Sequence, residues 1–79
     1  MMTPHLQRRF DQLLRQAKDP QFEVLARELV AAARELVDTL ISCGLLLPDE
    51  WKTYRAQIET TTLIVGNAEL KRVTDAART

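Results

Sequence analysis

Cys43 is the only thiol and His5 the only imidazole in the 79 residues of this chain. A catalytic cysteine needs a nearby base and an electropositive setting. Here the thiol falls at the end of a helix-patterned segment, where the helix dipole is negative and disfavours the thiolate. Its position in the apolar pattern predicts a small core residue. His5 lies in the first turn of a helix near the start of the chain. No second histidine or carboxylate pair stands at metal-ligand spacing with it, so an exposed residue and no metal site are expected. The acids Asp49 and Glu50, or Glu23, Glu28 and Glu35, alternate with Arg27, Arg34, Lys52 and Arg55. That alternation describes solvated faces, not carboxylates held in a dry cleft with separated pKa values. Gly66 is isolated, with no G-x-G-x-x-G or G-K-[ST] run to cradle a phosphate. The expectation is therefore a non-enzymatic protein with no catalytic residue, cofactor or small-molecule substrate.

Composition sets the frame around those residues. Hydrophobic residues make up 46% and charged residues 28%, with 11 basic and 11 acidic side chains. The apolar content is too high for a disordered tail, and the length suits one domain, residues 1–79. A balanced charge gives no general attraction to nucleic acid or to an anionic membrane. No stretch approaches the roughly 20 apolar residues of a membrane span, and the N-terminal residues lack a signal-peptide core. One free cysteine fits a reducing compartment, so a cytoplasmic location is expected. A chain this short has a small core, and neither a disulfide nor a metal is on hand to staple it. Association with itself or with a protein partner is the staple left.

The glycines Gly44 and Gly66 and the prolines Pro4, Pro20 and Pro48 read as helix punctuation, proline just inside a start and glycine just past an end. They predict an all-α fold, a small antiparallel three-helix bundle with a possible short fourth helix at the C-terminus. Helix 1 is expected over about 4–17, capped by Thr3, with Leu6, Phe10, Leu13, Leu14 and Ala17 as its stripe. Helix 2 is expected over about 20–43, capped by Asp19. One of its seams holds Phe22, Leu25, Leu29, Ala32, Leu36, Leu40 and Cys43, and the next holds Ala26, Val30, Ala33, Val37 and Ile41. Together they cover roughly half the cylinder, which makes helix 2 the central element. At least two of Leu45, Leu46 and Leu47 should be buried in the following turn. Helix 3 is expected over about 48–65 with Trp51, Tyr54 and Ile58 inward. The run Thr60-Thr61-Thr62-Leu63-Ile64-Val65 is rich in β-branched residues and weakens helix propensity. Two readings compete over about 67–77, a continuation of helix 3 or a break near Gly66 followed by a short helix 4, and the move of the apolar phase to Leu63, Leu70, Val73 and Ala77 favours the kink or break.

The turn has a partial counterpart in known domains. Gly44-Leu45-Leu46-Leu47-Pro48-Asp49-Glu50-Trp51, followed by Arg55 and Ile58, resembles the hairpin of short C-terminal (SHOCT-type) domains, in which a helix ends in glycine and two aliphatics before a Glu-aromatic pair opens the next. The resemblance covers about 15 residues, with Leu47 in place of the usual threonine cap. It implies a tight helical hairpin and carries no function.

The functional expectation is a protein–protein interaction module, a small adaptor, chaperone or inhibitor acting through an apolar helical face, possibly as a homodimer. The expected contact set is Val30, Val37 and Ile41 on helix 2 with Tyr54, an aromatic of the type that anchors interfaces. On that reading Val37→Glu weakens association and leaves helicity intact. The alternative is a small regulator that binds nucleic acid through Arg8, Arg9 and Arg15 of helix 1. By segment, residues 1–18 carry +3, residues 19–43 carry −3, residues 44–62 carry −1 and residues 63–79 carry +1. A basic helix 1 and an acidic helix 2 are therefore expected to pack as a charge-matched hairpin.

Overall fold

The computed structural model describes residues 2–78, and all of its packed elements are helical. α1 spans Pro4–Lys18, a 3-10 helix spans Pro20–Leu25, α2 spans Ala26–Ser42 and α3 spans Pro48–Arg78. α2 runs antiparallel to both α1 and α3. Gln7 near the start of α1 meets Tyr54 near the start of α3, while Arg27 at the start of α2 meets Glu69 late in α3. The three helices pack as a three-helix bundle.

α1 begins where Thr3 accepts the Leu6 N–H at 3.2 Å and Pro4 fills the first turn without wasting a donor. Phe10, Leu13, Leu14 and Ala17 recur at helical spacing and are buried. The next residues depart from a continuous helix over 20–43. Asp19 accepts the Gln21 N–H at 2.9 Å and its carbonyl takes the Phe22 N–H. Phe22 has non-helical angles (φ −108°, ψ 22°), so Pro20–Leu25 winds as a 3-10 helix before the α-helix starts at Ala26. The tighter winding throws Leu25 off the apolar seam, leaving it 46% exposed beside Val24 at 90%.

Within α2 the buried residues are Ala26, Val30, Ala33, Val37 and Leu40. Leu29, Ala32, Leu36 and Ile41 pack beside them, partly covered. The inward stripe is thus centred on the second seam, and the first forms its shoulder. Cys43, about 100° round the helix from the middle of the buried stripe, is exposed and not a core residue. α2 ends in a Schellman arrangement. The Leu45 N–H reaches the Leu40 carbonyl at 2.9 Å, the Gly44 N–H reaches Ile41 at 3.0 Å, and Gly44 takes φ +71°. Of the three leucines that follow, only Leu46 is buried, while Leu45 and Leu47 are more than half exposed. Leu47 occupies the cap position before Pro48, where its carbonyl accepts from Glu50 and Trp51 and its N–H reaches the Glu50 carboxylate. A cap residue projects from the bundle's end, which is why a leucine there gains little cover.

α3 continues without a break to Arg78, so no separate fourth helix is distinguished. The threonine hydroxyls of the β-branched run are satisfied within the helix. Thr60, Thr61 and Thr62 donate to the carbonyls of Ala56, Gln57 and Ile58, four residues back, at 3.0, 2.9 and 2.8 Å. Thr61 is thereby satisfied although buried. Gly66 sits mid-helix, exposed, with nothing near the place a Cβ would occupy. It weakens the helix by about 1 kcal/mol relative to alanine but does not end it.

Candidate interaction surface on the outer face of α3

The inward face of α3 carries Trp51, Tyr54, Ile58, Thr61 and Val65. Phe10, fully buried, meets Tyr54 edge-on with centroids 5.1 Å apart at 78°. The Tyr54 hydroxyl donates to the Gln7 side-chain carbonyl at 2.7 Å. Partial burial, with the carboxylates of Glu50 and Asp11 nearby, holds the phenol above its ordinary pKa. A group bound to its proton more tightly in the folded state contributes stability that is complete below the unfolded pKa and is lost as pH rises through the folded one. Wild-type stability should therefore fall through the alkaline range in a step that Tyr54→Phe lacks. The variant itself should lose about 1 kcal/mol at neutral pH from the missing hydrogen bond. Denaturant melts of both proteins across that range would measure this, and parallel alkaline profiles would refute it.

Charges along the other side of α2 join α3 and not α1. Arg27 grips Glu69 with two bonds of 2.7 and 2.6 Å, Arg55 reaches Asp38 at 3.3 Å, and Glu23 pairs with Arg72. The Arg27 guanidinium holds the Glu69 carboxyl below the usual carboxylate range. Arg55 also covers the Trp51 ring at 4.7 Å. Helices α1 and α2 do pack as a hairpin, but no ion pair joins them among the described residues. Arg8, Arg9, Arg15 and Lys18 are exposed and make no ion pair among the described residues. Arg8 and Arg15 share one outward face, whereas Arg9 lies about 100° round the helix from them.

The expected contact set divides. Val37 is completely enclosed and Val30 is 5% exposed, because α1 and α3 cover the stripe that was expected to remain free. Neither residue is presented to a second molecule. Ile41 and Tyr54 are only partly covered. The exposed apolar surface lies elsewhere. Leu63, Leu70 and Val73 on α3 are each about two-thirds exposed, at 68%, 66% and 67%. They follow the spacing Leu63, Gly66, Leu70, Val73, Ala77, alternating steps of three and four residues along one face. This stripe lies about 120° round the helix from the middle of the inward face, on the side nearer α2, where Gly66 borders a groove with Val30 and Arg34. Thr60, Asn67 and Thr74 stand along one flank and Thr62, Glu69 and Ala76 along the other, so the stripe itself carries no charge and the one carboxylate beside it is held by Arg27. On the same side of the first half of α3 stand Lys52, Arg55 and Glu59. The phase change that suggested a break is instead a second apolar face on an unbroken helix. The spacing was visible in the sequence, but its meaning depended on whether the helix continued.

From Gly66 to Ala77 no residue of α3 is buried, and Glu69 alone is half-covered. Side-chain ion pairs to Arg27 and Glu23 tie these turns to the body. Among the described residues, no cluster of three or more His, Cys, Asp or Glu could hold a metal, and no helix is long and apolar enough to cross a membrane. An open groove of 610 Å³ runs between α1 and α3, past Arg15, Lys18, Ala56 and Thr60. No family model, no curated protein and no solved structure matches this chain.

Proposed function

We propose that this protein is a non-enzymatic interaction module that docks a helix of a protein partner on the outer face of α3. The observation that carries the reading is the uncharged stripe of Leu63, Leu70 and Val73, two-thirds exposed on the side of α3 turned away from the core. No ion stands within the stripe, and Glu69 on its flank is already paired with Arg27, so each aliphatic side chain covered contributes roughly 1 to 2 kcal/mol. The reading moves the docking face from α2, where the seam is already occupied, to α3. An adaptor, a chaperone and an inhibitor would all use such a face in the same way. A fluorescent synthetic helix with leucines at heptad spacing and a neutral surface is the direct probe. It should bind wild type and lose most of its affinity for Leu70→Glu, whose circular dichroism should match wild type. Equal binding to both proteins would reject the stripe.

A second reading keeps the basic face of α1, because Arg8, Arg9 and Arg15 have no acid within the described structure to neutralise them. Binding of nucleic acid there should weaken steeply with salt and fall when Arg8 and Arg15 are replaced by alanine. A gel shift with no salt-sensitive complex would dismiss it.

A further inference from the structure

We propose that the occupant of the α3 stripe is a second copy of this chain, paired antiparallel through residues 59–77. The inference rests on the stripe being a docking face and adds the identity of what docks. Its basis is how the stripe matches itself.

Turned antiparallel about a two-fold axis near Ala68, Leu63 of one copy lies against Val73 of the other, and Gly66 lies against Leu70. A bulky residue thus meets the missing side chain of Gly66 at the two central layers, and aliphatics close the outer ones. A Cβ at Gly66 would meet nothing within its own chain, so the space beside it is open to the neighbour. Parallel pairing would set Gly66 against Gly66 and leave a void. It would also carry the contact into the first half of α3, placing Glu59 against Glu59 and Lys52 against Lys52. The antiparallel overlap meets Glu59 only at its two ends, against Ala77, and keeps Lys52 out of the contact, while the two Glu69 side chains flank the axis, each held by Arg27 of its own copy. An isologous contact of this kind closes on itself and gives a dimer, not a fibre. Two helices overlapping for about 28 Å bury on the order of 1,000 Å² in total, the lower bound for a specific interface, so the dimer is reversible.

The state of the helix end supports the same assignment. Gly66–Ala77 contains no buried residue and begins with glycine and asparagine. These turns propagate from the packed first half of α3 and need no new nucleus, but without packing of their own they are the part of the helix most open to fraying. Pairing covers Leu70 and Val73 and gives these turns the packing that their own bundle does not provide. Dimerisation and helical order at the end of α3 should therefore rise together with concentration.

Sedimentation velocity and far-ultraviolet circular dichroism on the full chain, from low micromolar to near-millimolar concentration, test this. Wild type should pass from monomer to dimer with a parallel gain in helicity. Leu70→Glu, which removes a contact from each copy, should raise the dimer dissociation constant on the order of a hundredfold. Leu63→Cys and Val73→Cys proteins, mixed in a Cys43→Ser background, should cross-link to each other in preference to themselves, the signature of antiparallel pairing. A wild type that stays monomeric throughout, or a dimer indifferent to Leu70→Glu, overturns the proposal. If the monomer still binds the synthetic leucine-heptad helix, the stripe takes a foreign helix and only the second-copy assignment falls. If it binds neither, the docking face itself is refuted.

Discussion

Val37→Glu should unfold this protein, not merely release a partner from it. Val37 has no exposed surface and lies in the inward stripe of α2 between Ala33 and Leu40. A carboxylate there must either lose its water, keep its proton, or force the helices apart. An uncompensated buried charge costs about 3 to 5 kcal/mol. A domain of this size has roughly 4 to 12 kcal/mol in all, and a single small core supplies the lower part of that range. The variant should show no cooperative thermal transition by circular dichroism, or one far below wild type. Leu70→Glu is the matching control, because it makes the same chemical change at a side chain 66% exposed and should melt close to wild type. The pair separates a core position from a surface one within a single experiment. A Val37→Glu protein that melts like wild type would mean that α1 and α3 do not enclose α2 as described.

Phe10→Ala is the second large effect. Phe10 is fully buried and is the principal side chain of α1 in the core, its ring set edge-on to Tyr54. Truncation removes the aromatic pair and leaves a cavity between α1 and α3 that the backbone can close only in part. The expected loss is about 3 to 5 kcal/mol, read as a lowered midpoint in urea unfolding. α1 should be the element released, since Leu13, Leu14 and Ala17 then hold a 15-residue helix with no aromatic anchor. Leu6→Ala, at a half-covered position of the same stripe, should cost clearly less. A Phe10→Ala midpoint no lower than that of Leu6→Ala would contradict the packing.

Punctuation and period alone determined the fold class. Thr3-Pro4, Asp19-Pro20, Gly44 and Leu47-Pro48 mark starts and stops because proline and glycine restrict φ and backbone donors whatever surrounds them. The inward stripe of α1 follows for the same reason, since a 3.6-residue period fixes which side chains share a face. Where the outcome hung on a second element, sequence was not enough. The half-cylinder of α2 predicted an uncovered face, but α1 and the turns of α3 through Val65 enclose it, with Ile58 beside Val37 and Val65 beside Val30. At 31 residues, α3 reaches past the whole of α2. Its continuation past Gly66 was open in the sequence, because β-branched residues and a glycine lower helix propensity without forbidding the helix. Once α3 ran on, Leu63, Leu70 and Val73 became one exposed face of an unbroken helix.

The charges divide in the same way. Sequence counted a basic helix 1 and an acidic helix 2, but ion pairs need side chains within about 4 Å. The bundle turns Glu23, Arg27 and Asp38 towards α3. Periodicity assigns each residue to a face of its own helix. Which neighbour that face meets is set by helix length and packing, and this decides what the protein offers to another molecule.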